Sequence, residues 1–392
     1  MKRKIVYISG TRADYGPARR MLLAIANESD IELSILVTGM HLDPQHGETW
    51  QEIEADGFTI TDKVLGRVTG DSLQAMSASI GLYLYSMSTA FAKTQPDIVM
   101  VLGDRGEMLA AAIAAAYQNI PVVHLCGGTI SGSIDDSVRH AITKFAHFHL
   151  PAFQEGVQRI IQMGEDPAHV MLVGLPGADI KPDITFSRDQ ICQEYKIPHD
   201  QPYLLVIQHS VTNSQEQSSL QAVETMEALV ELEYPVLLAN PNDDAGGRAI
   251  FNVMKEYADR YQNLIILPPP ASRQKFASVM AHAAVLVGNS SSGVVEAMSV
   301  GLPVVNIGHR QKGREHLSCW VNTDHERSAI KRAILTALTD KVYRNKLNRF
   351  ISENVFDNEI TNQRVIMVLK NIDLNIAKNG KTFNNENPLK GI

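Results

Sequence analysis

The sequence predicts an α/β protein of two consecutive Rossmann-like, doubly wound domains with a central cleft. Three observations carry this. The chain has 392 residues, more than one ordinary hydrophobic core organises. Short, nearly continuous apolar runs alternate with helix-patterned segments, the signature of parallel sheet covered on both faces. That alternation stops at a polar stretch holding Pro182, Asp183 and Asp189, and then restarts.

In the first half, residues 4–9, 32–38, 98–102 and 121–125 read as strands, each ended by glycine. Helices are expected over 17–28 and 110–117, and a further strand over 170–173. In the second half, strands are expected at 203–208, 236–239, 264–267, 285–287 and 303–307. Leu220, Val223, Met226 and Val230 recur at spacings of three and four, one face of a helix. The expected organisation is an N-terminal domain over 1–180 and a C-terminal domain over 181–354. A helix in 355–376 should return to the first domain, followed by an Asn/Lys/Gly-rich flexible tail over 377–392.

Composition narrows the function classes. Apolar residues make up 44% and charged residues 20%, a globular balance. The net charge of -7 argues against a nucleic-acid partner or an anionic membrane surface. The three cysteines, Cys126, Cys192 and Cys319, form no CxxC pair, so neither a zinc ribbon nor a disulfide framework is indicated. The apolar run after Met1 is too short for a signal peptide, and no run reaches transmembrane length. A soluble, cytoplasmic protein is expected.

In open parallel sheets ligands sit at the carboxyl ends of the strands, and the conspicuous polar residues fall there. The loop at 288–296 carries Ser290, Ser291, Ser292 and Glu296 before a helix-like run over 293–300. A helix start with free N–H groups and hydroxyls suits a phosphate, although serine clusters are also ordinary N-caps. Arg310 follows the neighbouring strand. The loop at 10–16 holds Arg12 and Asp14 but matches neither GxGxxG nor a P-loop, which disfavours dinucleotide binding. Asp104 and Arg105 follow another strand, where desolvation can tune a carboxylate for acid–base work. In the 124–140 stretch, Asp135 and Asp136 precede Arg139 and His140 at one-face spacing. His147 and His149 follow in alternation, serving either a site or a buried hydrogen-bonded core. No metal is expected, because no comparable ligand set appears.

These motifs together are familiar. Thr11 to Tyr15, Gly103 to Arg105, Ile134 to Lys144, Gln208 to Thr212, Pro241-Asn242 and Gly288 to Ser291 resemble, in order, those of the hydrolysing UDP-N-acetylglucosamine 2-epimerases. That family starts sialic-acid and legionaminic-acid type pathways. The resemblance spans roughly residues 10–314. It implies a GT-B fold, with UDP held mainly by the second domain. It implies that Arg12, Arg105, His209, Asn242, Ser290, Ser291, Glu296 and Arg310 bind UDP. Glu296 would take the ribose hydroxyls and the serines the diphosphate. Asp104 and Asp135 match the catalytic carboxylates, with His124 and His209 beside them. Asp14, His41, His147 and His149 would stand on the substrate side. It implies no cofactor, a UDP-sugar as the small-molecule partner, and a homodimer or homotetramer. Three positions depart: Cys126 and Thr129 stand where many members carry Glu, and Pro17 replaces a frequent Lys.

The implied reaction removes the C2 proton while UDP leaves C1, giving a 2-acetamidoglycal. Water then adds with inversion at C2. On UDP-N-acetylglucosamine the products are N-acetylmannosamine and UDP; UDP-N,N'-diacetylbacillosamine is the alternative substrate. A GT-B glycosyltransferase and a non-catalytic nucleotide-sugar sensor are the more distant readings.

Overall fold

The structure is a computed structural model describing residues 2–68, 70, 72–268, 272–314, 319–353, 357–381 and 383–384. Two six-stranded parallel sheets organise it. The first comprises β1 (Arg3–Ser9), β2 (Ile31–Thr38), β3 (Ile60–Val64), β4 (Ile98–Leu102), β5 (Val122–Leu125) and β6 (Phe148–Leu150). The second comprises β7 (Leu204–Ile207), β8 (Val236–Leu238), β9 (Leu264–Ile266), β10 (Val285–Gly288), β11 (Val304–Ile307) and β12 (Val321–Thr323). The spatial orders are β3-β2-β1-β4-β5-β6 and β12-β11-β10-β7-β8-β9. Read in one direction, these are the same doubly wound order, so each sheet reverses beside its first strand.

The central strands are apolar through their middles because helices cover both faces. Ile5, Tyr7, Ile8, Val99 and Met100 are fully buried, as are Leu204, Leu205, Val206 and Val287. Burying such a side chain stabilises the fold by about 1.5–3 kcal/mol. Helix Asn358–Asn371 places Val365, Val368 and Leu369 in the core of the first sheet. Arg3 donates to the carbonyls of Leu369 and Ile372 and secures this return.

Three local expectations need correction. Residues 170–173 form no strand; Val170 makes only an isolated bridge to His149. The run expected to be one helix over 293–300 breaks into a four-residue helix, Ser292–Val295, and a 3-10 turn, Ala297–Val300. The start of the presumed tail is tied down. Lys381 donates to the carbonyls of Thr143, Lys144 and Ala146 and pairs with buried Glu165 at 2.5 Å. These carbonyls lie at the C-terminal end of helix Ile134–Phe145, where a cation complements the unpaired backbone oxygens. Residues 385–392 lie outside the described residues.

Candidate active site

The two switch points face each other, and the polar loops converge between them. Arg12 and Asp14 follow β1, while Asp104 and Arg105 follow β4, its neighbour in the sheet. In the second sheet His209 follows β7 and Ser290 follows β10. Together they line a cavity of about 390 Å³, within the usual range for small-molecule sites. Its walls include Arg12, Asp14, Asp104, Arg105, Asp135, His209, Asn242, Ser290, Ser291, Glu296 and Arg310.

The other expected histidines stand behind the wall. His124 is fully buried on β5 and donates through Nε2 to the Gly103 carbonyl at 2.8 Å. It thereby braces the turn that presents Asp104. His41 lies between Ser9 Oγ (3.0 Å) and Thr49 Oγ1 (2.6 Å). His147 accepts from the Val122 N–H, and His149 donates to Glu165 at 3.0 Å. Burial lowers the pKa of all four, His41 and His124 to about 3 and His147 to about 4. They are neutral hydrogen-bonded supports of the sheet that carries the site.

Asp104 and Asp135 occupy contrasting environments. Buried Arg139 donates to Asp104 and to the Thr129 carbonyl, and Arg314 lies 3.8 Å from Asp104. Burial pushes the Asp104 carboxyl up, but the charges of Arg139 and Arg314 outweigh it and hold the group below its ordinary range. Asp135 sits in the first turn of helix Ile134–Phe145, capped by Ser133. Its nearest cation is Arg310, at 3.5 Å. Burial and then the neighbouring Asp104 charge raise its pKa. Two carboxylates driven in opposite directions can divide acid–base from electrostatic work.

The opposite wall is built on Asn289. Its side-chain oxygen accepts from the His209 N–H, its amide donates to the His209 carbonyl, and its own carbonyl accepts from Arg310 and Gln311. The Asn242 N–H donates to His209 Nδ1 at 3.1 Å, leaving Nε2 as the imidazole's donor. Burial, then Arg310 and Arg105, lower the His209 pKa to about 3, so the ring is neutral. With only a four-residue helix behind Ser290 and Ser291, the helix dipole is short. An anion placed here would be held by the hydroxyls and Arg310 rather than by a helix dipole.

Sequence reasoning missed several lining groups. Arg273 is buried, pairs with Glu296, and reaches Asp183 at 3.4 Å. Glu52 pairs with Arg12 and accepts from the Arg273 N–H. These residues sit in helices, outside any strand-end motif, so no local pattern marks them. Cys126 also lines the cavity with φ 61°, its thiol pushed up to about 12 by burial. It is therefore a neutral thiol at neutral pH.

A second hollow of about 630 Å³ opens alongside and shares Asn240 and Asn242. There Asp43, His46 and Asp243 bring ligand atoms within 4.8 Å of one another. The Arg67 guanidinium already occupies their midst, paired with Asp43 and with Asp243 at 2.6 Å. The trio is a clasp between the halves.

The family model for UDP-N-acetylglucosamine 2-epimerase matches residues 23–370. The chain belongs to the UDP-N-acetylglucosamine 2-epimerase family. This epimerase-family chain is 40% identical, over 95% of its length and 97% of the relative's, to the hydrolysing UDP-N,N'-diacetylbacillosamine 2-epimerase of Legionella pneumophila. It is 32% identical to the UDP-N-acetylglucosamine 2-epimerase of Neisseria meningitidis, covering 94% and 95%. The fold matches the Neisseria meningitidis UDP-GlcNAc 2-epimerase crystal structure bound to UDP-GlcNAc at TM-score 0.77 and 17% identity, covering 95% and 100%. The GT-B architecture of this epimerase-family protein is thereby established. Among the described residues no helix is long and apolar enough to cross a membrane.

Proposed function

We propose that the chain is a hydrolysing 2-epimerase acting on a UDP-linked 2-acetamido sugar, with UDP-N,N'-diacetylbacillosamine as its substrate. The observation that carries the reaction is the Asp104–Asp135 pair, whose proton affinities are driven apart inside a nucleotide-sized cleft. The Legionella relative supports the diacetamido sugar over the N-acetylglucosamine that the motifs first suggested. So does the wall: a neutral thiol at Cys126 and a hydroxyl at Thr129 suit a less hydroxylated sugar than two carboxylates would.

Asp135 is the group whose proton moves. Its raised pKa makes it a stronger base toward the weakly acidic C2 hydrogen, and a competent acid when protonated. Asp104, held ionised by Arg139 and Arg314, fixes the field around it. As the C1–O bond breaks, negative charge grows on the diphosphate. Ser290, Ser291, Arg310 and the His209 Nε2–H stabilise that charge. The bond between C2 and its proton and the bond from C1 to UDP are lost together, leaving a 2-acetamidoglycal. Water adds across it, giving its oxygen to C1 and a proton to the face of C2 opposite Asp135, and the free sugar departs with UDP and the proton that Asp135 took.

The test is incubation with each UDP-sugar in turn, following UDP and free sugar. UDP together with the free C2 epimer from the diacetamido substrate is expected. Transfer only when an acceptor sugar is added would mark a glycosyltransferase. Binding without turnover would mark a sensor.

A further inference from the structure

We infer that Arg273 is a nucleotide-binding residue that reads the ribose hydroxyls jointly with Glu296. The inference rests on the UDP reading above. Arg273 lies at the start of helix Arg273–His282, is 7% exposed, and lines the cleft. Its guanidinium is pinned in two places. Nη1 donates to Glu296, and Nε faces Asp183 at 3.4 Å. The third nitrogen, Nη2, is buried with no hydrogen-bond partner among the described residues. A buried, unmatched donor on a cation is costly unless something else satisfies it.

The surroundings keep that fork still. Asp183 also holds Arg20 at 2.8 Å. The Arg273 N–H donates to Glu52 at 3.0 Å, and Gly16 packs within 3.4 Å of the stem where a Cβ would stand. The guanidinium therefore presents Nη2–H in a fixed direction next to a carboxylate. A sugar hydroxyl can donate to a carboxylate and accept from a guanidinium at once. A sugar diol would satisfy the pair, whereas a nucleotide lacking it leaves the buried Nη2–H unmatched. Rejection of such an analogue by a polar site is strong.

The experiment is calorimetric titration of wild type, Arg273→Lys and Arg273→Gln with UDP and with 2′,3′-dideoxyuridine diphosphate, with melting curves to check folding. Lysine keeps a positive charge beside Glu296 and Asp183 but lacks the planar fork whose Nη2 points away from Nη1. Wild type should prefer UDP. Both variants should lose about 10- to 100-fold in UDP affinity and little for the dideoxy nucleotide, so that the preference collapses. Equal losses for both nucleotides, or Arg273→Lys binding UDP as wild type does, would overturn the inference while leaving the proposed function standing. Wild type that binds no UDP would overturn both.

Discussion

At the residue scale the candidate site is a set of paired charges. Among the described residues, six arginines and six carboxylates line the cleft: Arg12, Arg105, Arg139, Arg273, Arg310 and Arg314 against Asp14, Glu52, Asp104, Asp135, Asp244 and Glu296. The two catalytic candidates should respond differently to the same change. Asp135→Asn should lower turnover by about 100-fold or more while UDP binding persists, checked by kinetics and calorimetry on one preparation. Asp104→Asn should also cost stability, since it leaves the buried Arg139 charge unmatched. A loss of about 3–5 kcal/mol is expected, checked by urea titration. Cys126→Ser should retain turnover of the same order, because a thiol with a pKa of about 12 is neither base nor nucleophile at neutral pH. Loss of activity in that variant would remove the account of Cys126 as a neutral wall.

At the element scale, strand order does the positioning. Gly132, just before helix Ile134–Phe145, is where the halves nearly touch. Its N–H donates to the Arg310 carbonyl at 2.9 Å, and a Cβ there would stand 2.1 Å from the His309 carbonyl oxygen. Gly132→Ala should therefore push Arg310 away from Asp135. Turnover should fall with little change in melting temperature, because neither sheet core is touched. Steady-state kinetics beside a melting curve checks this, and an unchanged rate would show the close approach to be dispensable.

At the scale of the whole molecule, the chain's end stabilises its beginning. Glu165 is buried against His149, Lys144 and Lys381. Burial opposes its ionisation, but the three hydrogen bonds prevail and lower its pKa from 4.5 to about 2. A carboxylate depressed in the folded state adds stability that is complete above pH 4.5 and lost as pH falls toward 2. Urea midpoints across that window should fall for wild type more steeply than for Glu165→Gln. Parallel curves would mean the Lys381 anchor contributes nothing. The clasp of Arg67 with Asp43 and Asp243 also joins the halves, beside the cleft.

Much of this was legible in the chain itself. Period-two and continuous apolar runs identify the central strands, and loops after strands must hold the ligand in a parallel sheet. Asp104, His209 and Ser290 stand out as candidates by their position after strands, whereas Asp135 was singled out by the family resemblance. Helix-borne partners do not stand out by position. Whether Arg273 meets Glu296, or Arg139 meets Asp104, depends on contacts 23 and 35 residues apart in sequence. Whether a histidine faces the cleft or the core depends on which side of a strand is covered. Local sequence sets the elements because backbone sterics and apolar periodicity act over a few residues. Proton affinity and charge pairing were decided only by the tertiary structure, because desolvation and Coulomb forces depend on distances that folding alone creates.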